Sequence, residues 1–465
     1  DEKIEGKETV HVAYAGIPTR PRSVGWIGLL KVMRARSFQE FDMGLRFVSH
    51  TYSLNFAYAD IEGHIGYVLT GEVPKRSGKR GAELLPMPGW TGENDWAGFV
   101  THAQLPKSLD PPSGIIISAN HKVINHDNYP HYLGQCWKSG YRAQAIQIEL
   151  SKLLQDGAKV EPKQMLGLLM NFTSWAAKEF VQELRTVAPE ADTRQAIDML
   201  LAWDGDLGKE SVAASLYQIT HSEFVKLLLE RGCQALSVPE AGDTWKGLDH
   251  VQLCNVIAGE GADPGALVKI LNELQGHLHV NVLRILRSES SPSCSVDRLW
   301  WLRQAGGRNA AINAAVRAAV SKLRVLAGDK WQTSPLVAWG KIHLADIRHP
   351  IAKALGLPAG SKPLEVPSVP CGGDTNTICQ TAPKSLTDLS ANASHVSLRV
   401  IFDLSDLSNE ATNSVIAPLG QSGQFNSPHY CDQTAMWAIG KMRPLIFSPD
   451  AIRKSTIARM SFSQV

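Results

Sequence analysis

The spacing of apolar positions changes several times along this chain, and each change predicts an element. Residues 8–14 fit a short strand, and Leu29 to Ala35 fit one or two helical turns. Phe38, Phe41, Leu45 and Val48 then recur at helical spacing, which predicts an amphipathic helix over 38–48. Ser37 followed by Glu40 forms a capping-box pattern at its start. Ser53 to Asp60 and His64 to Thr70 alternate loosely about Ile61-Glu62-Gly63, which predicts a hairpin whose turn uses the positive φ open to Gly63. The run Ile115 to Ala119 is apolar and predicts a short buried strand ending in the polar turn Ser118-Ala119-Asn120. A helix is expected from Arg142 to Leu154, with Ala143, Ile146, Leu150, Leu153 and Leu154 on its buried side.

The middle of the chain is mostly helical in pattern, with periodic segments at 163–170, 175–187, 194–203, 222–230, 266–275 and 309–326 and no fixed repeat. Strand-like alternation returns at Val396 to Asp403 and again at Ser414 to Pro418, followed by a tight turn at Gly420 to Gly423. Pro350 to Pro383 is rich in Pro and Gly and is expected to be a loop or linker. Gly71 to Gly98 is expected to be a long ordered loop, either pinned by Trp90 and Trp96 or functional. The fold class is therefore α+β. Residues 1–155 form a site-bearing sheet portion, 156–330 a mainly helical lobe, and 331–465 a return to the sheet core.

Composition narrows the function. The 465 residues are 44% hydrophobic and 20% charged with a net charge of +2, so no basic field points to nucleic acid. No run of eighteen apolar residues is present, so no membrane span is expected. None of the seven cysteines forms a Cys-x-x-Cys pair, which argues against structural zinc, and Cys371 with Cys379 could close a small loop. The start DEKIEGKETV carries no apolar leader, which suggests a removed targeting segment or a fragment. Phosphate-binding glycine loops, a G-x-S-x-G elbow and H-E-x-x-H are absent. His343 and His349 have only Asp346 nearby, so packed histidines are favoured over a metal site. Ser427 to Gln433 reads as a capped turn entering a helix at Trp437. Asn120, just past an apolar run, either caps a turn or donates a hydrogen bond to a reacting carbonyl.

A resemblance sharpens these options. NFAYADIEGHIGYVLTGEVPKR, LLPMPGWTGENDWAGF, PPSGIIISAN, YPHYLG and GYRAQAI occur in that order, followed by Trp203-Asp204-Gly205, WGKIHLADIRHP, GGDTNT, APLGQSGQFNSPHYCDQTAMW and RPLIFS. Together they resemble the penicillin acylases, which are N-terminal-nucleophile hydrolases. The resemblance implies a four-layer αββα sandwich with helical additions, here incomplete at its N-terminus. It also implies a precursor that cleaves itself to expose an N-terminal Ser, which attacks an amide with its own α-amine as base. By the same resemblance, Asn120 is the side-chain oxyanion donor, Arg142 the active-site support, and Leu54 a residue lining the acyl pocket. Leu54 could equally be sheet core.

The departures from the family pattern decide what this chain would do alone. The family's nucleophilic serine lies well upstream of NFAYAD, and neither Ser23 nor Ser37 has its context, so no nucleophile is expected in this chain. The second oxyanion donor and most calcium ligands fall in the same missing part. His131-Tyr132-Leu133 offers no carboxylate after Tyr129-Pro130, so no cofactor or metal is assigned here. The expected function is linear-amide hydrolysis by a protein whose C-terminal part is this chain. Its partners would be a small-molecule amide and the absent α-chain region. The alternative is a non-catalytic binding or scaffold pseudoenzyme on the same fold. An acyl-homoserine-lactone or lipopeptide acylase would differ only in substrate, and the resemblance is compatible with a periplasmic or secreted protein.

Overall fold

A computed structural model describes residues 24–76, 89–134, 137–236, 275–287, 299–345, 347, 349–357, 364, 366–391, 398–407, 412–456 and 461. The strand expected at 8–14 and nearly all of the helix expected at 266–275 lie outside them. The chain divides into two compact units, 1–138 and 139–465. No helix among the described residues is long and apolar enough to cross a membrane.

In the first unit, α1 (Val24–Val32) packs on α2 (Phe38–Val48). A Cβ on Gly28 would stand 2.7 Å from the Val48 backbone nitrogen, so the two backbones meet because that side chain is missing. The expected start of α2 is present: Ser37 Oγ accepts from Glu40 N–H at 3.2 Å. The Glu40 carboxylate closes the box one residue early, accepting from Arg36 N–H at 2.8 Å. Phe41, Leu45 and Val48 are buried as their spacing predicts. They meet the hairpin of β1 (Asn55–Ala59) and β2 (Ile65–Leu69), with Phe41 edge-on to Phe56 at 6.1 Å. The register runs from Asn55 opposite Leu69 to Ala59 opposite Ile65, and Gly63 turns the chain at φ +94°. The long loop expected at 71–98 is partly strand: β3 (Pro74–Arg76) pairs with β4 (Trp96–Phe99). Trp90 is 89% exposed, while Trp96 packs edge-on to Phe99 with centroids 6.0 Å apart. A further strand, β5 (Lys107–Leu109), joins the outer side of β2. The expected strand at Ile115 to Ala119 joins none of the described sheets, and within it only Ala119 is buried.

The second unit opens with α3 (Tyr141–Leu153), α4 (Pro162–Leu169), α5 (Trp175–Leu184) and α6 (Arg194–Leu201). On α3 the buried residue is Ala145, while the residues expected to be inward are half-buried. α7 (Val212–Leu236) is the centre of the helical core and packs on α10 (Arg308–Ala327) and α9 (Leu299–Gln304), while α8 (Gln275–Arg287) packs on α5 and α9. Residues 213–222 of α7 are all buried, so this half of the helix has no polar face to signal its period. Phe180, Leu184, Ile197, Leu216, Tyr217 and Phe224 are among the core residues there.

Short strands follow. β6 (Leu344–Ala345) pairs with β7 (Val369–Pro370), while β8 (Arg399–Ile401), β9 (Ser414–Ile416) and β10 (Arg443–Pro444) form a three-stranded sheet in the order β10-β9-β8. Gly420 to Gly423 is not a self-closed turn: Gly420 N–H and Ser422 N–H donate to the carbonyls of Tyr430 and His429. A short helix at Thr434–Ala438 buries Trp437, as expected. The expected linker is also different. Cys371, Asp374, Asn376, Thr377, Cys379 and Ala382 are all buried, so 371–382 is core, and Cys371 and Cys379 are free thiols. The architecture is mixed α and β, with small antiparallel sheets and large helical content.

Candidate functional site

Each site residue expected from sequence is placed within its own unit. Asn120 lies in the first, directly after buried Ala119, and is itself exposed. Its φ is +60°, a left-handed conformation that Asn adopts more readily than most residues. Its carbonyl accepts from Lys138 N–H at 2.8 Å, which ties the bend to the end of the same unit. The backbone is therefore set for a turn whatever the side-chain amide does. Leu54 precedes β1 and is 45% exposed in this chain. Its backbone is held on both sides by buried Thr70, whose Oγ1 accepts from Leu54 N–H at 3.1 Å and whose N–H donates to Leu54 O at 2.9 Å.

Arg142 lies in the second unit, in the first turn of α3, and is half-buried. Burial pulls its guanidinium below the usual arginine range. The helix start is unusual, because Gly140 at the N-cap brings no capping side chain. The preceding Ser139 is instead buried, and its Oγ–H donates to Asn376 Oδ1 at 2.9 Å. Asn376 belongs to the Gly372-Gly373-Asp374-Thr375-Asn376-Thr377 loop, which sequence reading treated as linker. Asp374 organises that loop. One carboxylate oxygen accepts from Asn376 N–H at 2.7 Å and Thr377 N–H at 2.9 Å. The other accepts from Ser174 Oγ–H at 3.2 Å and Gln218 Nε2–H at 3.1 Å. Burial pushes the Asp374 carboxyl up to about 6, and its four donors oppose the rise. The local signal was available: an Asp whose side chain takes the N–H groups two and three residues on, with Gly373 at φ +94° beside it, is an Asx turn.

The Trp203-Asp204-Gly205 motif has a structural task. Trp203 Nε1–H donates to Asp206 O at 3.1 Å, and Gly205 O accepts from Ser174 N–H at 3.0 Å, which steadies the start of α5. His343 is wholly buried, stacked on Trp339 with centroids 4.4 Å apart, and its Nδ1–H donates to Leu389 O at 2.7 Å. Among the described residues no three His, Cys, Asp or Glu side chains converge to hold a metal. At the Tyr129-Pro130 step, Tyr129 Oη–H donates to Gln104 O at 2.8 Å and its ring meets His131 edge-on at 5.5 Å.

One constellation escaped the sequence reading. Ser49 Oγ is 3.0 Å from His102 Nδ1, His102 Nε2–H donates to Asp42 Oδ1 at 2.8 Å, and Lys107 Nζ reaches Asp42 Oδ2 at 2.7 Å. Burial raises the Asp42 carboxyl, but the Lys107 and His102 bonds outweigh it and hold the group below the usual range.

Comparison with known proteins gives these residues a context. Residues 4–454 match the family model described as Penicillin amidase. The penicillin acylase 2 proenzyme of Pseudomonas sp. (strain SE83) is 27% identical over 411 residues, which is 87% of this chain and 45% of that protein. The acyl-homoserine lactone acylase QuiP of Pseudomonas aeruginosa is 26% identical over 454 residues, 91% of this chain and 47% of that protein. The chain thus spans about half the length of these relatives. A thermostable penicillin G acylase from Alcaligenes faecalis superposes with a TM-score of 0.56 at 20% identity, over 95% of this chain and 73% of that one, which is a likeness of fold.

Proposed function

This chain belongs to the penicillin amidase family, and we propose that it is the C-terminal part of an amidohydrolase that removes an acyl group from an amine. The observation that carries the reading is the family match over residues 4–454, which includes Asn120 and Arg142. The two named relatives, a penicillin acylase and an acyl-homoserine lactone acylase, support an acylated amine as the substrate class.

In this reading an N-terminal Ser, carried by a segment outside this chain and exposed by self-cleavage, attacks the amide carbonyl. Its proton passes to its own α-amine and then to the leaving amine; water afterwards releases the acid from the acyl-enzyme. Asn120 donates its amide N–H to the oxygen of the tetrahedral intermediate. One such donor is worth roughly 3–4 kcal/mol of barrier. Arg142 disfavours protonation of a nearby α-amine, keeping the base free near neutral pH. Leu54 offers exposed apolar surface to a hydrophobic acyl group. The αββα sandwich is completed by the segment that brings the nucleophile.

The test is a pair of amidase assays with a chromogenic hydrophobic-acyl amide. The 465-residue chain alone is expected to be inactive, and the full protein with a Ser-led chain active. Hydrolysis by the purified chain alone, abolished by Asn120→Ala, would overturn this division of labour.

A further inference from the structure

Arg142 stands in the first turn of a helix whose N-cap residue supplies no side-chain cap. First turns carry unsatisfied N–H groups and fray unless something holds them. Here the residue before the N-cap, Ser139, is gripped from across the second unit by Asn376, 237 residues on in sequence. Asn376 is 1% exposed and has little freedom of its own. Its N–H is bonded to Asp374, and Asp374 is bonded to Ser174 at the start of α5 and to Gln218 in the first half of α7. The loop is also fixed from behind: Trp339 Nε1–H donates to Gly373 O at 2.9 Å, and Gly373 N–H donates to Leu207 O at 2.8 Å. A continuous set of buried hydrogen bonds therefore runs from the helical core through Asp374 and Asn376 to Ser139.

We propose that Asn376 is a positioning residue for the reaction: its bond to Ser139 sets the start of α3 and so aims the Arg142 guanidinium. The proposal rests on the reading of Arg142 as active-site support. Asn376 itself touches no reacting atom. Its influence passes through Ser139 and the first turn of α3, and Asp374 keeps it in register.

Two readouts test this and separate its failure from failure of the underlying reading. The first needs no catalysis. In the full protein, amide hydrogen exchange at Gln144, whose N–H closes the first turn on Gly140 O at 2.8 Å, is compared with exchange at Phe180 in α5. Asn376→Ala and Ser139→Ala are each expected to speed Gln144 exchange about ten-fold without changing Phe180, and Ser139→Thr to restore it. Unchanged Gln144 exchange in both alanine variants would overturn the proposal outright.

The second readout is steady-state hydrolysis by the full protein. Each alanine variant should lower kcat roughly 10–100-fold with KM within two-fold, and the double variant should be no worse than either single. The acid limb of the kcat/KM pH profile should move to higher pH, because a misplaced Arg142 lets the α-amine hold its proton longer. A faster-exchanging Gln144 with an unmoved acid limb would overturn the positioning role. A wild-type full protein that hydrolyses no amide would overturn the reading of Arg142, and the positioning role with it, while the exchange result would still describe the lock.

Discussion

Ser49 Oγ and His102 Nδ1 stand 3.0 Å apart, with Asp42 on the far side of the imidazole. The residue types are those of a hydrolytic triad, but the surroundings are not. Ser49 is 6% exposed, and its hydroxyl also lies 3.1 Å from Leu45 O. It caps the C-terminal end of α2, where the helix dipole is negative and carbonyls point outward. An oxyanion formed there would face repulsion instead of N–H donors. We expect Ser49→Ala to cost about 1–3 kcal/mol of stability, by leaving the Nδ1 side of His102 without its partner, and to spare amide hydrolysis in the full protein. Urea denaturation and a fluorophosphonate labelling experiment check this; labelling at Ser49 would contradict it.

The left-handed backbone at Asn120 allows its two roles to be separated. Asn120→Gly keeps the turn without strain and removes the amide, whereas Asn120→Ala adds about 1 kcal/mol of backbone strain. If the amide is the oxyanion donor, both variants lose about 10²–10³-fold in kcat. A glycine variant with wild-type kcat would reduce Asn120 to a turn residue.

Leu54 gives a contrast in stability. A buried core leucine loses about 2–5 kcal/mol on truncation to alanine. At 45% exposure, Leu54→Ala should cost less than about 1 kcal/mol of unfolding free energy in urea denaturation while raising KM for long acyl chains. A large stability loss with unchanged acyl preference would return Leu54 to the core.

Acid should destabilise the second unit, because burial holds two imidazoles there, His221 and His343, below their ordinary range. Burial lowers His343 to about 4 despite its bond to Leu389 O, a backbone contact at Thr381 and the nearby Asp388 carboxylate. The unfolded chain therefore binds the proton first. This stability is fully present above pH 6.5 and is lost as pH falls towards 4, roughly 3 kcal/mol in all. Asp374 has the opposite sign. Its carboxyl is raised to about 6, so burying its charge opposes folding at neutral pH and the penalty is relieved as pH falls below 6. His343→Asn should flatten the fall in urea midpoint between pH 6.5 and 4.5, and Asp374→Asn should steepen it. Equal slopes in wild type and His343→Asn would remove His343 from this account.

What the sequence alone determined were elements whose cause is local. The Ser37 cap and the spacing of Phe41, Leu45 and Val48 sufficed for α2, because cap and apolar stripe lie within one helix. Alternation about Gly63 sufficed for the hairpin, because its register follows from its own turn. The ordered motifs also carried the family, which local physics alone would not have supplied. Tertiary structure decided the rest. The apolar run at Ile115 to Ala119 makes no strand, since a strand needs a partner edge. The first half of α7 was hidden because a helix buried on every side, with Ser215, Gln218, Thr220 and His221 inside, shows no amphipathic period. The sequence of the Asp374 loop predicts a linker because Gly, Asp, Asn and Thr usually lie in water. They are buried here only because Ser174, Gln218 and Ser139, between 156 and 237 residues away in sequence, supply the hydrogen bonds that water would have made.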